Sequence, residues 1–334
     1  MNTADVLKTL REQRHLEGVD CSGMDFSGQE LRGVVLERVR LDRAVFRGAD
    51  LHGAHFTNCS AQGAVLAEAR MSQVCMLGVN LEAADLSGCR ARLASWRRVA
   101  CDRADFFRAD LERVVLQGCT LAGARFSGAN LHRASLISMD CTRTIFRDAN
   151  LSMALLGGSD FSGAAFAGCD LRKAMFAKAR LDRADLSGQD VTQCDFSKAS
   201  LREADLRTAH GRYVAFIEAD LTLARLQTAR LHGADFSGAV LVKARLRDAR
   251  LEESRLCETD CTQTDFHHAG LDFADFSRAV ITEANFTRAR MHRTNMHRTD
   301  LRAAFWQGTD ASTIRRTDDP LAAAETWRSK PLKP

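Results

Sequence analysis

The chain has 334 residues, of which 45% are hydrophobic and 27% charged, enough material for two or three ordinary domains. Its 47 lysines and arginines against 43 aspartates and glutamates leave a formal net charge of +4. That near balance gives no reason to expect strong nucleic-acid or membrane-surface binding, and it excludes a strongly acidic polyanion.

Thr3 to Arg14 sets Val6, Leu7 and Leu10 on one face of an amphipathic helix, with Thr3 as the expected N-cap. Met1 to Gly18 contains Asp5, Lys8, Arg11, Glu12 and Arg14 and no apolar run, so neither a signal peptide nor a transmembrane segment is expected. Residues 1–15 are assigned as an N-terminal cap.

From Leu16 a new period takes over. Every fifth residue up to Trp306 gives 59 positions, among them 29 Leu and 15 Phe, and none is charged. The column two residues earlier holds 34 Ala, eight Val and five Cys. Clean copies read Ala49-Asp50-Leu51, Ala129-Asn130-Leu131, Ala184-Asp185-Leu186 and Ala234-Asp235-Phe236. The register never slips, so no loop is inserted. A period of five fits neither helix nor ordinary strand. It fits a chain that runs straight briefly and then turns the same way each time, with the large and small residues pointing inward. Glycines cluster two residues after the large position (Gly23, Gly28, Gly33, Gly48), where such a turn needs φ > 0.

These residues resemble the pentapeptide-repeat family, with consensus A(D/N)LXX, over residues 14 to 306. The resemblance implies an all-β fold, a right-handed quadrilateral β-helix in which four pentapeptides make one coil. The sequence checks the number four independently. Sorting the large positions modulo four gives faces A (from Leu16), B (Cys21), C (Phe26) and D (Leu31). Phenylalanine then falls eight times on C, six on A, once on B and never on D. The 59 pentads make about 15 coils, a rod of roughly 70 Å at strand spacing. Residues 16–310 are assigned to it. Gly211 is the one hole in the core column, read as a local dent before a kink. Residues 311–334 are read as a cap remnant and a flexible basic tail. All three prolines lie at Pro320 or later, which points to a backbone whose N–H groups are in steady use.

Nine of the eleven cysteines fall in the inward columns: Cys21, Cys101, Cys141 and Cys261 among the large, and Cys59, Cys89, Cys119, Cys169 and Cys194 among the small. They read as buried apolar thiols suited to a reducing bacterial cytoplasm. No CxxC pair is present, and His52, His132, His232 and His292 recur on face D too far apart for one metal site. No nucleophile elbow, phosphate loop or zinc-protease motif occurs, and a rod without insertions supplies no concave pocket. Neither cofactor, metal nor enzymatic activity is expected. The aspartates before the large residue belong to the repeat and serve its turns.

Two surfaces stand out. Outward positions of face A are unusually apolar: Val35, Cys75, Leu77, Val115, Ile137, Leu155, Met175 and Ile217. Apolar surface of that kind marks a partner site, a dimer contact or a seat for a terminal segment, while β-branched residues also suit outward strand positions as such. Face D carries Arg32, Arg92, Arg133, Arg172, Lys173, Arg212, Arg230 and Arg250, interrupted by Asp110, Glu112, Asp170, Asp190 and Glu252. A solvated face with cross-coil ion pairs explains it. Outward aromatics are few (Phe107, Tyr213, Phe273), so nucleic-acid stacking platforms are missing.

The expected function is a non-catalytic scaffold that binds another protein along one face, with a homodimer as the other occupant. The resemblance implies two alternatives. Some family members look like DNA and protect type II topoisomerases, but mimicry of a polyanion needs an excess of negative charge that +4 does not supply. Others act as secretion-system effectors or as accessory proteins of type VI secretion, a reading that rests on analogy alone.

Overall fold

The computed structural model describes residues 2–326. Helix α1 (Thr3–Gln13) opens the chain, and its N-cap is Asn2 rather than the expected Thr3: Asn2 Oδ1 accepts from the Asp5 N–H at 2.9 Å. Asn and Thr are both good caps and stand side by side, so the sequence left one residue of slack. Val6 and Leu10 are buried against the first coil and Leu7 packs beside them.

Six strands follow on face A: β1 (His15–Glu17), β2 (Val35–Glu37), β3 (His55–Thr57), β4 (Cys75–Leu77), β5 (Ser95–Arg97) and β6 (Val115–Gln117). They pair in order as one parallel sheet, each residue opposite the one 20 further on. Single parallel bridges with the same offset cover the rest of the chain, from Asp20↔Arg40 to Asn295↔Arg315. The fold is therefore a β-solenoid with four pentapeptides to a coil, about fifteen coils in all. The paired rungs extend past the expected limit at residue 310 to Arg315, and Ile314 is still buried. Beyond them, helix α2 (Asp319–Thr326) occupies part of the expected flexible tail. The remainder of that tail, 327–334, lies outside the described residues.

The consensus follows from where five N–H groups go. In Asp50–Ala54, the Asp50 N–H donates backward to Gln29 O at 2.9 Å, and Leu51 and Gly53 donate forward to Arg70 O and Ser72 O at 2.8 and 3.0 Å. The Ala54 N–H closes the turn onto Leu51 O at 2.9 Å. The fifth, on His52, has no carbonyl and donates to Asp50 Oδ1 at 3.1 Å. Aspartate or asparagine before the large residue is thus the cap of the one N–H the coil leaves over. Proline has no place to stand in such a pentad.

The residue two past the large one turns the corner. It takes φ between 52° and 73° in every pentad from Gly18 to Arg298 except that of Arg143. Glycine is the unstrained choice there, as at Gly123 (φ 73°), yet most corners carry another residue, so glycine marks the corner without being required.

Inside, the predicted Phe columns become ladders. On face C, Phe106, Phe126, Phe146 and Phe166 stack at 4.5, 5.6 and 6.2 Å between centroids. On face A, Phe176, Phe196, Phe216 and Phe236 stack at 5.1, 5.2 and 4.9 Å. All nine inward cysteines are buried, and all eleven are free thiols. Most polar members of the small column turn their hydrogen inward onto a carbonyl 23 residues back, as Cys59 does to Leu36 O (3.3 Å) and Thr264 to Leu241 O (2.7 Å), while the Ser254 hydroxyl is buried without a partner among the described residues. At Gly211 the backbone itself fills the hole: a Cβ there would lie 2.7 Å from Thr192 N. The rungs on either side persist, Val191 N–H to His210 O at 2.8 Å and Gly211 N–H to Arg230 O at 2.9 Å, so the position is a dent.

Candidate functional site

Within each pentad the residues flanking the inward one point outward, so face A presents two outward columns, one through Val35 and Val115 and one through Leu77 and Ile137. The structure does not leave the eight candidates as one stripe. Val35 and Ile217 are only half-exposed. Cys75 and Leu77 are exposed on β4 but are cut off from the next candidates by Ser95 and Arg97 of β5. Beyond Met175, Asp195 is the paired rung that separates it from Ile217.

Four of the eight come together. Val115, Ser135, Leu155 and Met175 bridge in succession, and Ile137 belongs to the second of these rungs. Val115, Ile137, Leu155 and Met175 are exposed by 42, 49, 37 and 45%. Gly157 and Ala177 stand where Ile137 has its counterpart on the next two coils, so nothing polar intrudes there.

Two of the face D candidates turn out to rim this patch. Arg133 and Lys173 occupy left-handed corner positions (φ 56° and 61°) between faces D and A, as does Arg113 (φ 58°). Lys178 takes the next corner (φ 61°). All four side chains are exposed, and among the described residues none has a carboxylate within 4.0 Å. The site is an apolar centre four coils long with a rim of free cations.

The other face D candidates divide in two. Arg32 is paired with Asp50 at 2.8 Å, Arg92 with Asp110 at 2.5 Å and Glu112 at 3.6 Å, and Arg172 with Asp170 at 2.6 Å. The hydrogen bond from Arg172 holds the Asp170 carboxyl below its ordinary value. These three are structural ion pairs, as a solvated face would have. Arg212, Arg230 and Arg250 have no such partner among the described residues.

Three of the four face D histidines are engaged singly. His132 Nδ1 lies 2.8 Å from Ser152 Oγ, His232 lies 3.4 Å from Glu253, and His292 rests edge-on against Phe273 at 5.5 Å. Three groups that sequence reasoning passed over do meet at the first coil: ligand atoms of His15, Glu17 and Glu37 all lie within 4.8 Å of one another. Glu37 is 20 residues after Glu17, so the coil period alone brings them together. Arg38 already neutralises Glu17. Among the described residues, no helix is long and apolar enough to cross a membrane.

Burial makes the inward thiols poor nucleophiles, pushing Cys21 up to about 11 and Cys89, Cys141, Cys169 and Cys194 to about 12. The hollows on the rod are shallow, and one of the largest, lined by Arg183, Asp185, Glu203, Asp205, Arg225 and Arg245, balances its own charge.

Comparison with known proteins follows the same lines. Models of the pentapeptide repeat region match residues 49–126 and 159–236, and those of pentapeptide repeats (8 copies) match 15–48, 124–163, 244–282 and 271–305. Among solved structures, HetL from the cyanobacterium Nostoc sp. strain PCC 7120, a pentapeptide repeat protein involved in heterocyst differentiation regulation, is 19% identical. The match covers 95% of this chain and 98% of HetL, with a TM-score of 0.20. QnrB1, a plasmid-mediated fluoroquinolone resistance protein, is 13% identical over 93% of this chain and 96% of its own, with a TM-score of 0.22. A pentapeptide repeat protein from the Arabidopsis thaliana thylakoid lumen is 34% identical, but over 31% of this chain and 63% of its own, with a TM-score of 0.22. A search of curated proteins finds no match. The family matches between them span almost all of the solenoid, and on them the chain belongs to the pentapeptide-repeat family.

Proposed function

We propose that the protein is a non-catalytic scaffold that binds a partner protein on face A, between the coils of Val115 and Met175. One observation carries the reading: four consecutive rungs join exposed Val115, Ile137, Leu155 and Met175 to a rim of unpaired Arg113, Arg133, Lys173 and Lys178. A desolvated apolar centre inside a polar rim is the anatomy of a protein interface. The rim specifies the other side, an apolar cluster bordered by carboxylates. A rigid rod contributes preorganisation, since the site loses little freedom on binding.

The test compares wild type with the triple substitution Val115→Glu, Ile137→Glu and Leu155→Glu in affinity capture from the host's lysate. A second variant, Arg133→Glu with Lys173→Glu, keeps the apolar centre. All five side chains point to solvent, so both variants should keep the wild-type melting temperature. A partner bound by wild type should weaken by at least about tenfold in each variant. Capture unchanged by both would sink the proposal. Sedimentation of the same proteins identifies the case in which the partner is a second copy. A mimic of DNA is the weaker reading, because the net charge is +4 and the rim of the patch is cationic.

A further inference from the structure

A shallow hollow of about 540 Å³ lies on face D at Gly211, lined by His210, Arg212, Arg230, His232, Arg250 and Glu252, with Thr192 and Gly211 in its wall. Its three arginines against one glutamate leave a surplus of positive charge, as Arg11, Arg14 and Arg32 against Glu30 do in the hollow at the first coil. In the outward column through this hollow, His210, Arg230 and Arg250 stand on successive rungs. Like charges directly opposite on neighbouring strands repel. The same column has one other arginine pair, Arg70 and Arg90, and there the flanking rungs are Asp50 and Asp110. Arg70 reaches Asp50 at 3.7 Å. Arg230 and Arg250 are flanked by His210 on one side and Gly270 on the other, so the column offers them no carboxylate.

The nearby acids are committed elsewhere. Glu252 pairs with Arg290 at 2.8 Å across two coils, a path that runs over Gly270, where a Cβ would sit 2.5 Å from Glu252 Oε1. Asp190 accepts from both the N–H and the hydroxyl of its own Thr192, at 3.0 and 2.6 Å. Glu253 lies 3.4 Å from His232 at the corner. Two glycines thus shape the place, one by denting the wall and one by letting the acid lean away. What remains is two arginines on adjacent rungs, about 4.8 Å apart at the backbone, with Arg212 across the hollow.

From this we infer that the Gly211 hollow is a binding site for a small phosphorylated anion with two linked charged groups, of the diphosphate class. Planar guanidinium forks match phosphoryl oxygens in pairs, and one fork per rung matches two linked phosphates. His210 and His232 add donors at the rim. The hollow lies on face D and shares no lining residue with the apolar patch or its rim, so it does not depend on the scaffold reading.

Isothermal titration with inorganic pyrophosphate at low salt tests the assignment. Wild type should bind one equivalent, with affinity falling as salt rises. Arg230→Gln with Arg250→Gln should lose at least about tenfold in affinity. The control Arg32→Gln with Arg92→Gln removes two arginines of the same face that are already paired, and should bind as wild type does. All these side chains are exposed, and an unchanged melting temperature establishes that the variants fold. Absence of binding by wild type at millimolar pyrophosphate overturns the inference, as does binding undiminished in the first variant or equally diminished in the control.

Discussion

A single aspartate does one small, repeated job in this protein. Asp140 shows it in isolation: its Oδ1 takes the Thr142 N–H at 3.0 Å and the Thr142 hydroxyl at 2.8 Å. The backbone and side-chain hydrogen bonds from Thr142 hold the Asp140 carboxyl below its ordinary value. A carboxyl whose folded value is depressed stabilises the fold fully above the ordinary aspartate value of about 3.9 and progressively less as pH falls below it. Asp140→Ala should therefore cost about 1 kcal/mol at neutral pH, as a lost cap does, and that deficit should shrink in acid. Asp140→Asn keeps an acceptor, as Asn130 and Asn150 do for His132 and Ser152. Its melting temperature should depend less on pH than that of wild type between about pH 5 and 2. Thermal melts across that range check both, and an Asp140→Ala deficit that grows in acid would refute the capping account.

At the scale of the coil, stability comes from what each rung lays on the next. Phe196 stacks between Phe176 and Phe216 at 5.1 and 5.2 Å and is wholly buried. Phe196→Ala should cost about 3–5 kcal/mol, while Phe196→Leu, the commonest residue of the column, should cost less than about 1.5 kcal/mol. Urea unfolding measures both, and equal losses would mean that the stacked ring, not the volume it fills, is what the ladder contributes. The two columns were legible in the sequence because the large residue and the small one two before it are excluded from water in pentad after pentad. The Phe ladders were legible for the same reason, once four pentads were taken as one coil. The candidate sites were legible only in part. The break of the face A stripe at Arg97 follows from the coil period, but the cationic rim does not. Arg133 and Lys173 join it through the left-handed turn at the corner, which aims them away from the flat of face D. Nor does the sequence tell which arginines are neutralised, because Glu252 could face Arg230 or Arg290 until the missing side chain at Gly270 decides it.

Over the whole molecule, a stack of coils that touch only their neighbours has two weak places, its ends. The first is closed by α1, with Val6 and Leu10 buried over coil one. At the other, α2 is tied down through Glu325, 2.7 Å from Arg278 and 3.1 Å from Arg298, with the buried His297 at 3.5 Å. Removing residues 2–13 should bare the edge that begins with β1. Hydrogen exchange should then quicken in amides of the first two coils, such as those of Leu31 and Gly33, and stay slow around Phe196. Uniform loss of protection along the rod would show that the coils unfold as one unit instead.

The constant offset of 20 residues between bridged partners gives the rod something like a reading frame. Removing or duplicating twenty residues shortens or lengthens it and leaves every later side chain on its own face. Removing five keeps every pentad intact and turns everything downstream by a quarter, though it breaks the Phe ladders across the junction. The apolar patch and the arginine hollow, one on each of two adjacent faces, would then lie on opposite sides, and adding five between them would bring them in line. Such a protein can change the angle between its binding surfaces by changing its length alone, without altering one residue of either.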